Sequence, residues 1–249
     1  MRLDLEHEAL VPFLVFCRVG GCFMLLPGFS SGRVPTTVRL WLAGAVALAM
    51  SPVASASRPA PSAMTQVELA YVVLCEVGVG VALGLVLRVM FAALETMATA
   101  VALALGISSV FAPLEGDESQ PSVSLLLTSC ATALLFASDI HLEMLRGIAD
   151  SYSALPLGAG LSPGLALDRL VEALSAGFTL CLRLLSGPMV FAFFANVAGG
   201  LLNRLAPQIQ AYFLAAPFVL AGGLYLLYAA GPQALAWFNE GFAARVMRW

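Results

Sequence analysis

Two histidines, His7 and His141, are the only imidazoles in this chain of 249 residues. His141 stands between Asp139 and Glu143, a triplet whose types could hold a metal or pass a proton. Two imidazoles so far apart supply no H-E-x-x-H or comparable ligand set, so the triplet reads as structural pairing near a helix start. No serine stands in a plausible G-x-S-x-G elbow, and no glycine-rich loop leads into a lysine, which leaves hydrolase and P-loop chemistry without a motif. The five cysteines, Cys17, Cys22, Cys75, Cys130 and Cys181, lie inside apolar segments without a C-x-x-C pair and read as small core residues. Neither catalysis, a metal nor a cofactor is expected.

The remaining chemistry lies in charges set among apolar residues. Arg18, Glu76, Arg88, Glu95, Glu172 and Arg183 fall within or at the edges of apolar segments. Such residues form a proton or substrate relay, as in a secondary transporter, or pair within and between helices. Arg88 and Glu95 are seven apart and share a helix face, which favours pairing. A transporter built from two halves would show a repeat, and none is evident.

A second polar cluster is denser. In ANVAGGLLNRLAPQIQAYFLAAP, Ala195 to Pro217, the residues Asn203, Arg204, Gln208 and Gln210 surround Pro207 in the middle of a long apolar region. An Arg at the centre of a bilayer costs roughly 2.5 to 3.5 kcal/mol, and unpaired amides add to that. The cluster therefore faces a bundle interior, a partner subunit or a water-filled path, or it is a loop between two helices punctuated by Pro207.

The elements that position these residues belong to a membrane protein. Hydrophobic residues make up 60% of the chain and charged residues 11%, well below the roughly 25% of soluble domains. Mean hydropathy is +0.92. Several uncharged runs, such as Leu40 to Ala56 and Leu184 to Asn203, reach the length that spans a bilayer, and runs like LLLTSCATALLFA do not alternate as barrel strands would. The expectation is an all-α polytopic membrane protein of helical hairpins, with about six or seven apolar segments in a single domain over residues 1–249. A net charge of −3, with all basic residues Arg, gives a nucleic-acid role no electrostatic footing. Asp4, Glu6 and Glu8 stand where a cleaved signal peptide would be basic, which argues against one.

Along the chain, Ala9 to Leu26 is the first apolar segment, followed by a polar loop containing Arg33, Pro35 and Arg39, and then the second segment to Ala56. Glu68 to Phe111 stays apolar so long that one helix would exceed twice the hydrocarbon thickness of roughly 30 Å; it is a hairpin, a steeply tilted helix or one that leaves the bilayer. Gly78, Gly80 and Gly84 offer a small-residue face there, including one G-x-x-x-G. Between Asp139 and Arg169, Leu142, Leu145, Ile148, Ala149 and Tyr152 recur opposite Glu143, Arg146 and Asp150, which predicts a short amphipathic helix ended by Pro156, Gly158, Gly160, Pro163 and Gly164. Arg33 and Arg39 suggest a cytoplasmic first loop, and Arg245 with Arg248 a cytoplasmic C-terminus. Both hold only if Glu68 to Phe111 crosses twice, which sets the N-terminus outside.

Two separated blocks then carry a family resemblance. One contains Asp139, His141, Leu145, Ser151, Tyr152 and Pro156-Leu-Gly158; the other is GGLLNRLAPQIQAYFLAAP. Together they resemble the FliR family, the R subunit of the flagellar type III protein-export gate, which is similar to a counterpart in virulence injectisomes. The segments FLVFCRVGGCFMLLPGF and LALGISSVFAPLEG extend the resemblance over nearly the whole chain. The D-x-H and A-P-Q-I-Q elements favour the flagellar type.

The resemblance implies a subunit of a helical export-gate assembly in the bacterial inner membrane, at the flagellar basal body. Its implied partners are FliP-like and FliQ-like subunits, an FlhB-like switch subunit, unfolded export substrates and membrane lipid. It further implies that the loop after the central helix plugs the closed pore, here Gly106, Ile107, Ser108, Ser109, Val110, Phe111 and Pro113, with Ala112 departing from the Asp common before that proline. Asn203, Arg204, Pro207 and Gln208 become assembly residues at the break between the last two helices. The alternative from another class is a lone transporter using Glu76, Arg88 and Glu95.

Overall fold

The computed structural model describes residues 2–30, 34–57, 65–106, 122–205 and 211–246. Among the described residues there are seven α-helices and no strands: α1 (Arg2–Phe23), α2 (Thr36–Ser57), α3 (Gln66–Ala104), α4 (Ser122–Ala137), α5 (Ile140–Ala154), α6 (Pro163–Leu205) and α7 (Ala211–Val246). Four of them, α2, α3, α6 and α7, are long and apolar enough to cross a membrane, and α4 with α5 makes a fifth if that broken pair is one span. The protein is an all-α polytopic membrane protein.

The long central segment removes one of its three alternatives. Residues 66–104 are one continuous helix of 39 residues, about 58 Å long at the usual rise, and not a hairpin. The double crossing on which the N-terminus-outside orientation depended is therefore absent. Sequence shows why the helix starts cleanly: Thr65 and Glu68 form a capping box, with the Thr65 N–H donating to the Glu68 carboxylate at 2.8 Å and the Glu68 N–H to the Thr65 hydroxyl at 3.4 Å. No residue inside it breaks the hydrogen-bond ladder, because the segment has no proline.

Other boundaries also moved. Arg39, expected in a loop, lies in the first turns of α2 and is buried, its guanidinium 3.5 Å from the Val34 carbonyl. Pro163 does not terminate a helix but opens α6, where a missing N–H is harmless, behind Ser162 whose hydroxyl accepts from the Leu165 N–H at 3.4 Å.

The helices sort into two compact units. The first unit holds α1, α2, α3 up to Met90, α5, the start of α6 and the end of α7. Its core includes Leu14, Val15, Val19 and Phe23 of α1, Ala43 and Ala47 of α2, and Leu83 and Leu87 of α3. Here α1 lies against α3 with backbone almost in contact. A Cβ on Gly80 would strike the Arg18 carbonyl, and one on Gly84 would come within 2.7 Å of the Cys22 carbonyl oxygen. The expected small-residue face is thus occupied by α1, while Gly78 points into open space.

Helix α5 forms where predicted, with its buried face rotated. Ile140, Met144, Gly147, Ile148, Ser151 and Tyr152 are buried, whereas Leu142 is exposed. On this face Ser151 meets Arg18 of α1. The helix begins at Asp139, the one described non-glycine residue with positive φ, 57°. Asp tolerates that left-handed conformation better than most residues.

The second unit holds the C-terminal part of α3, α4, and most of α6 and α7. Phe91 meets Phe238 edge to face at 5.3 Å, amid buried Leu94, Val101 and Leu135. The Ser124 hydroxyl donates to the Glu95 carbonyl at 3.2 Å. The Asn196 amide donates to the Ala104 carbonyl at 2.9 Å, which caps one of the last open carbonyls of α3 just before Gly106.

Candidate functional site

The most concentrated polar arrangement lies inside the first unit. Arg18 and Glu76, each about 1% exposed, are 58 positions apart in sequence and form a two-pronged ion pair, Nε to Oε2 at 2.7 Å and Nη2 to Oε1 at 3.1 Å. Arg18 Nη1 also donates to the Ser151 hydroxyl at 3.1 Å, and Nη2 to the Leu155 carbonyl at 3.0 Å. Glu76 accepts a third hydrogen bond, from the Gly158 N–H at 2.8 Å. The guanidinium carbon sits 4.0 Å above the Tyr152 ring.

Each element delivers its part for a local reason. Close glycine packing of α1 on α3 brings Arg18 beside Glu76, since Gly80 is one turn beyond Glu76 on the same face. Helix α5 ends at Ala154, and the chain turns at Gly158, whose φ of 76° aims its N–H at the carboxylate. A side chain there would be strained by the backbone itself.

Two charges removed from water are expensive, and the effective penalty is several kcal/mol per ion unless geometry and extra hydrogen bonds offset it. Both conditions are met, by the fork geometry and by Ser151, Leu155 and Gly158. Such a saturated cluster clamps α1, α3, α5 and the following loop together. It is not arranged as a relay, which needs a group free to take a proton and hand it on.

The other sequence-singled residues are placed separately. Arg88 is exposed on α3 and Glu95 is half-buried. Glu172 pairs instead with Arg245 at 2.6 Å. Asn203 and Arg204 are exposed in the last turn of α6; Pro207, Gln208 and Gln210 lie outside the described residues. Of the plug segment, Gly106 is described, with φ 71° after α3, and Ile107, Ser108, Ser109, Val110, Phe111 and Pro113 lie outside the described residues. Among the described residues no three His, Cys, Asp or Glu side chains gather as a metal site; Glu143 pairs with Arg146. The letters G-x-S-x-G do occur at Gly28 to Gly32, with Ser30 in the turn after α1 and not at a strand-to-helix elbow.

In the sequence Tyr152 stands on the apolar face of α5, Gly158 at its end and Ser151 only within a motif, and nothing there links the three to an ion pair. Their spacing, S-Y followed by P-x-G, is the spacing that lets one turn of helix and one loop reach the same ion pair.

The sequence profile of bacterial export proteins, family 1, matches residues 9–244. A flagellar biosynthetic protein FliR of Caulobacter vibrioides is 30% identical over 224 residues, 88% of each chain. The chain belongs to the FliR family of bacterial export proteins. Similar proteins of the same name occur in Escherichia coli, 27% identical over 221 residues covering 88% of this chain and 84% of that one, and in Aquifex aeolicus, 26% over 236 residues covering 93% and 89%. This FliR-family chain is a multi-pass membrane protein of the flagellar export apparatus, and its relatives are export-apparatus proteins. The Arg18–Glu76 cluster is a scaffold feature of this chain, on which α1, α3 and the S-Y block converge.

Proposed function

We propose that this chain is the R subunit of the protein-export gate in the bacterial inner membrane, forming with FliP-like and FliQ-like subunits the pore through which unfolded flagellar proteins pass, next to an FlhB-like switch subunit. The observation that carries this reading is the uncovered apolar length of α6 and α7. Phe193, Phe194, Val197, Leu201 and Leu205 of α6, and Phe218, Tyr225 and Tyr228 of α7, are all exposed on the isolated chain. Within Ala215–Arg245 only 11% of the tested stretch is buried inside the chain. Large contiguous apolar faces mark protein or lipid interfaces, and α6, with 43 residues, is about 64 Å long, more than lipid alone would cover.

On this reading Ile107 to Phe111 and Pro113 plug the closed pore, with Gly106 and the Asn196-capped end of α3 as their base. Asn203, Arg204, Pro207 and Gln208 bond to a neighbouring subunit, which the exposure of Asn203 and Arg204 in the last turn of α6 supports. Arg18 and Glu76 hold the scaffold.

The test is mild-detergent purification of the tagged chain co-expressed with the P and Q subunits of the same organism, followed by native mass analysis. One defined complex containing all three is expected. A stable species of this chain alone would overturn the reading.

A further inference from the structure

A cavity of about 100 Å³ opens in the first unit, between the middle of α3, the end of α5 and the start of α6. Ala82, Ala154 and Ala166 leave the space, and Val86 and Leu165 complete an apolar wall. Two polar side chains reach it, Ser151 and Arg169. Ser151 is already committed, donating to the Ile148 carbonyl at 2.6 Å and accepting from Arg18. That leaves Arg169 as the one polar group to serve a ligand.

Arg169 is short of a partner. Its side chain is 42% exposed, and Glu172 stands 3.8 Å away, beyond hydrogen-bond distance. Glu172 is taken by Arg245, at 2.6 Å through Nη1, with a further contact from Arg245 Nη2 to the Glu172 carbonyl at 3.4 Å. Two guanidinium groups thus share one carboxylate. The adjacent Asp168 is exposed and lies about 100° round the helix from Arg169.

An apolar slot and an under-neutralised cation at its rim, between helices that both qualify as membrane spans, match a lipid's charged headgroup and the acyl methylenes next to it. Water is a poor occupant of an apolar space; an apolar cavity of about 150 Å³ elsewhere stays dry and accepts benzene. We infer that this cavity binds one anionic phospholipid, with the first few acyl methylenes next to the headgroup among Ala82, Ala154 and Ala166 and the phosphate on Arg169. The site requires only the membrane setting and not the proposed pore.

Photoactivatable phosphatidylglycerol and phosphatidylcholine with the same acyl chains test it, in nanodiscs holding the full chain with any gate subunits that accompany it. Peptide-level mapping should show phosphatidylglycerol labelling residues 82–86 and 154–166 about tenfold above phosphatidylcholine, the ratio expected for one charge-assisted contact. Arg169→Gln should abolish the preference and Arg169→Lys should keep it. Ala166→Phe should fill the slot and remove labelling by both lipids. Equal labelling by the two lipids, an undiminished preference in Arg169→Gln, or exclusive crosslinking of a photoreactive residue at Leu165 to protein would overturn the inference.

Discussion

Arg18 on α1 and Glu76 on α3 face each other as a buried fork, 2.7 and 3.1 Å apart at its two prongs, with no water-exposed edge on either side chain. The pair, together with Ser151, Leu155 and Gly158, ties three helices and a loop at one point. Its energetics make a sharp statement about single and double substitutions.

Arg18→Met or Glu76→Leu alone strands a buried charge and should destabilise the chain by about 3 to 5 kcal/mol, whereas the double variant should recover much of that loss. Fluorescence-detected thermal unfolding of the four proteins in one detergent measures the coupling. Equal losses that simply add would show that the two residues do not act as a pair.

Tyr152 separates ring from hydroxyl. Its hydroxyl is buried without a hydrogen bond among the described residues, while its face supports Arg18 at 4.0 Å. Tyr152→Phe is therefore expected to be neutral or slightly stabilising, and Tyr152→Leu to cost about 1 to 2 kcal/mol through the lost cation–π contact and packing. The same unfolding assay ranks them.

At the α1–α3 crossing, glycine position matters more than glycine content. Gly84→Ala puts a methyl 2.7 Å from the Cys22 carbonyl oxygen and should cost about 1 to 3 kcal/mol. Gly78→Ala meets nothing within 4 Å and should be neutral or favourable by helix propensity. A double-cysteine distance measurement across α1 and α3 would show the former pair of helices pushed apart and the latter unchanged.

Asn196→Leu removes the side-chain donor at the Ala104 carbonyl, 2.9 Å, and should weaken the end of α3 by about 1 kcal/mol. If Gly106 to Pro113 plug the pore, the loosened base should raise ion leakage through the assembled gate, though less than deletion of Ser108 to Phe111. Unchanged leakage in the deletion would remove the plug role.

Arg204→Ala should leave the isolated chain as stable as before, because Arg204 is exposed in the last turn of α6, and should reduce recovery of the complex with the P and Q subunits. Normal assembly and motility would reduce the Asn203–Gln208 cluster to a tolerated loop.

What the sequence settled by itself follows from solvent. A chain with 60% hydrophobic residues and uncharged runs of bilayer length reads as helical and membrane-embedded, because hydrocarbon admits only helices and closed barrels and these runs do not alternate as barrel strands would. Two motif blocks sufficed for the family, and the glycines of α3 marked a close helix approach. Three-dimensional packing decided the rest. Arg18 and Glu76 were visible as costly charges, yet nothing local says that 58 positions of chain close to bring them together. The same holds for α5: apolar periodicity chose a face through Leu142, whereas the buried face carries Ser151, which accepts from Arg18, and Tyr152, whose ring lies under the guanidinium. Likewise no rule of composition prevents 39 residues from running on as one helix when no proline interrupts them. Long-range pairing of charge and the phase of a helix are properties of the packed chain, which is why they became legible only in the tertiary structure.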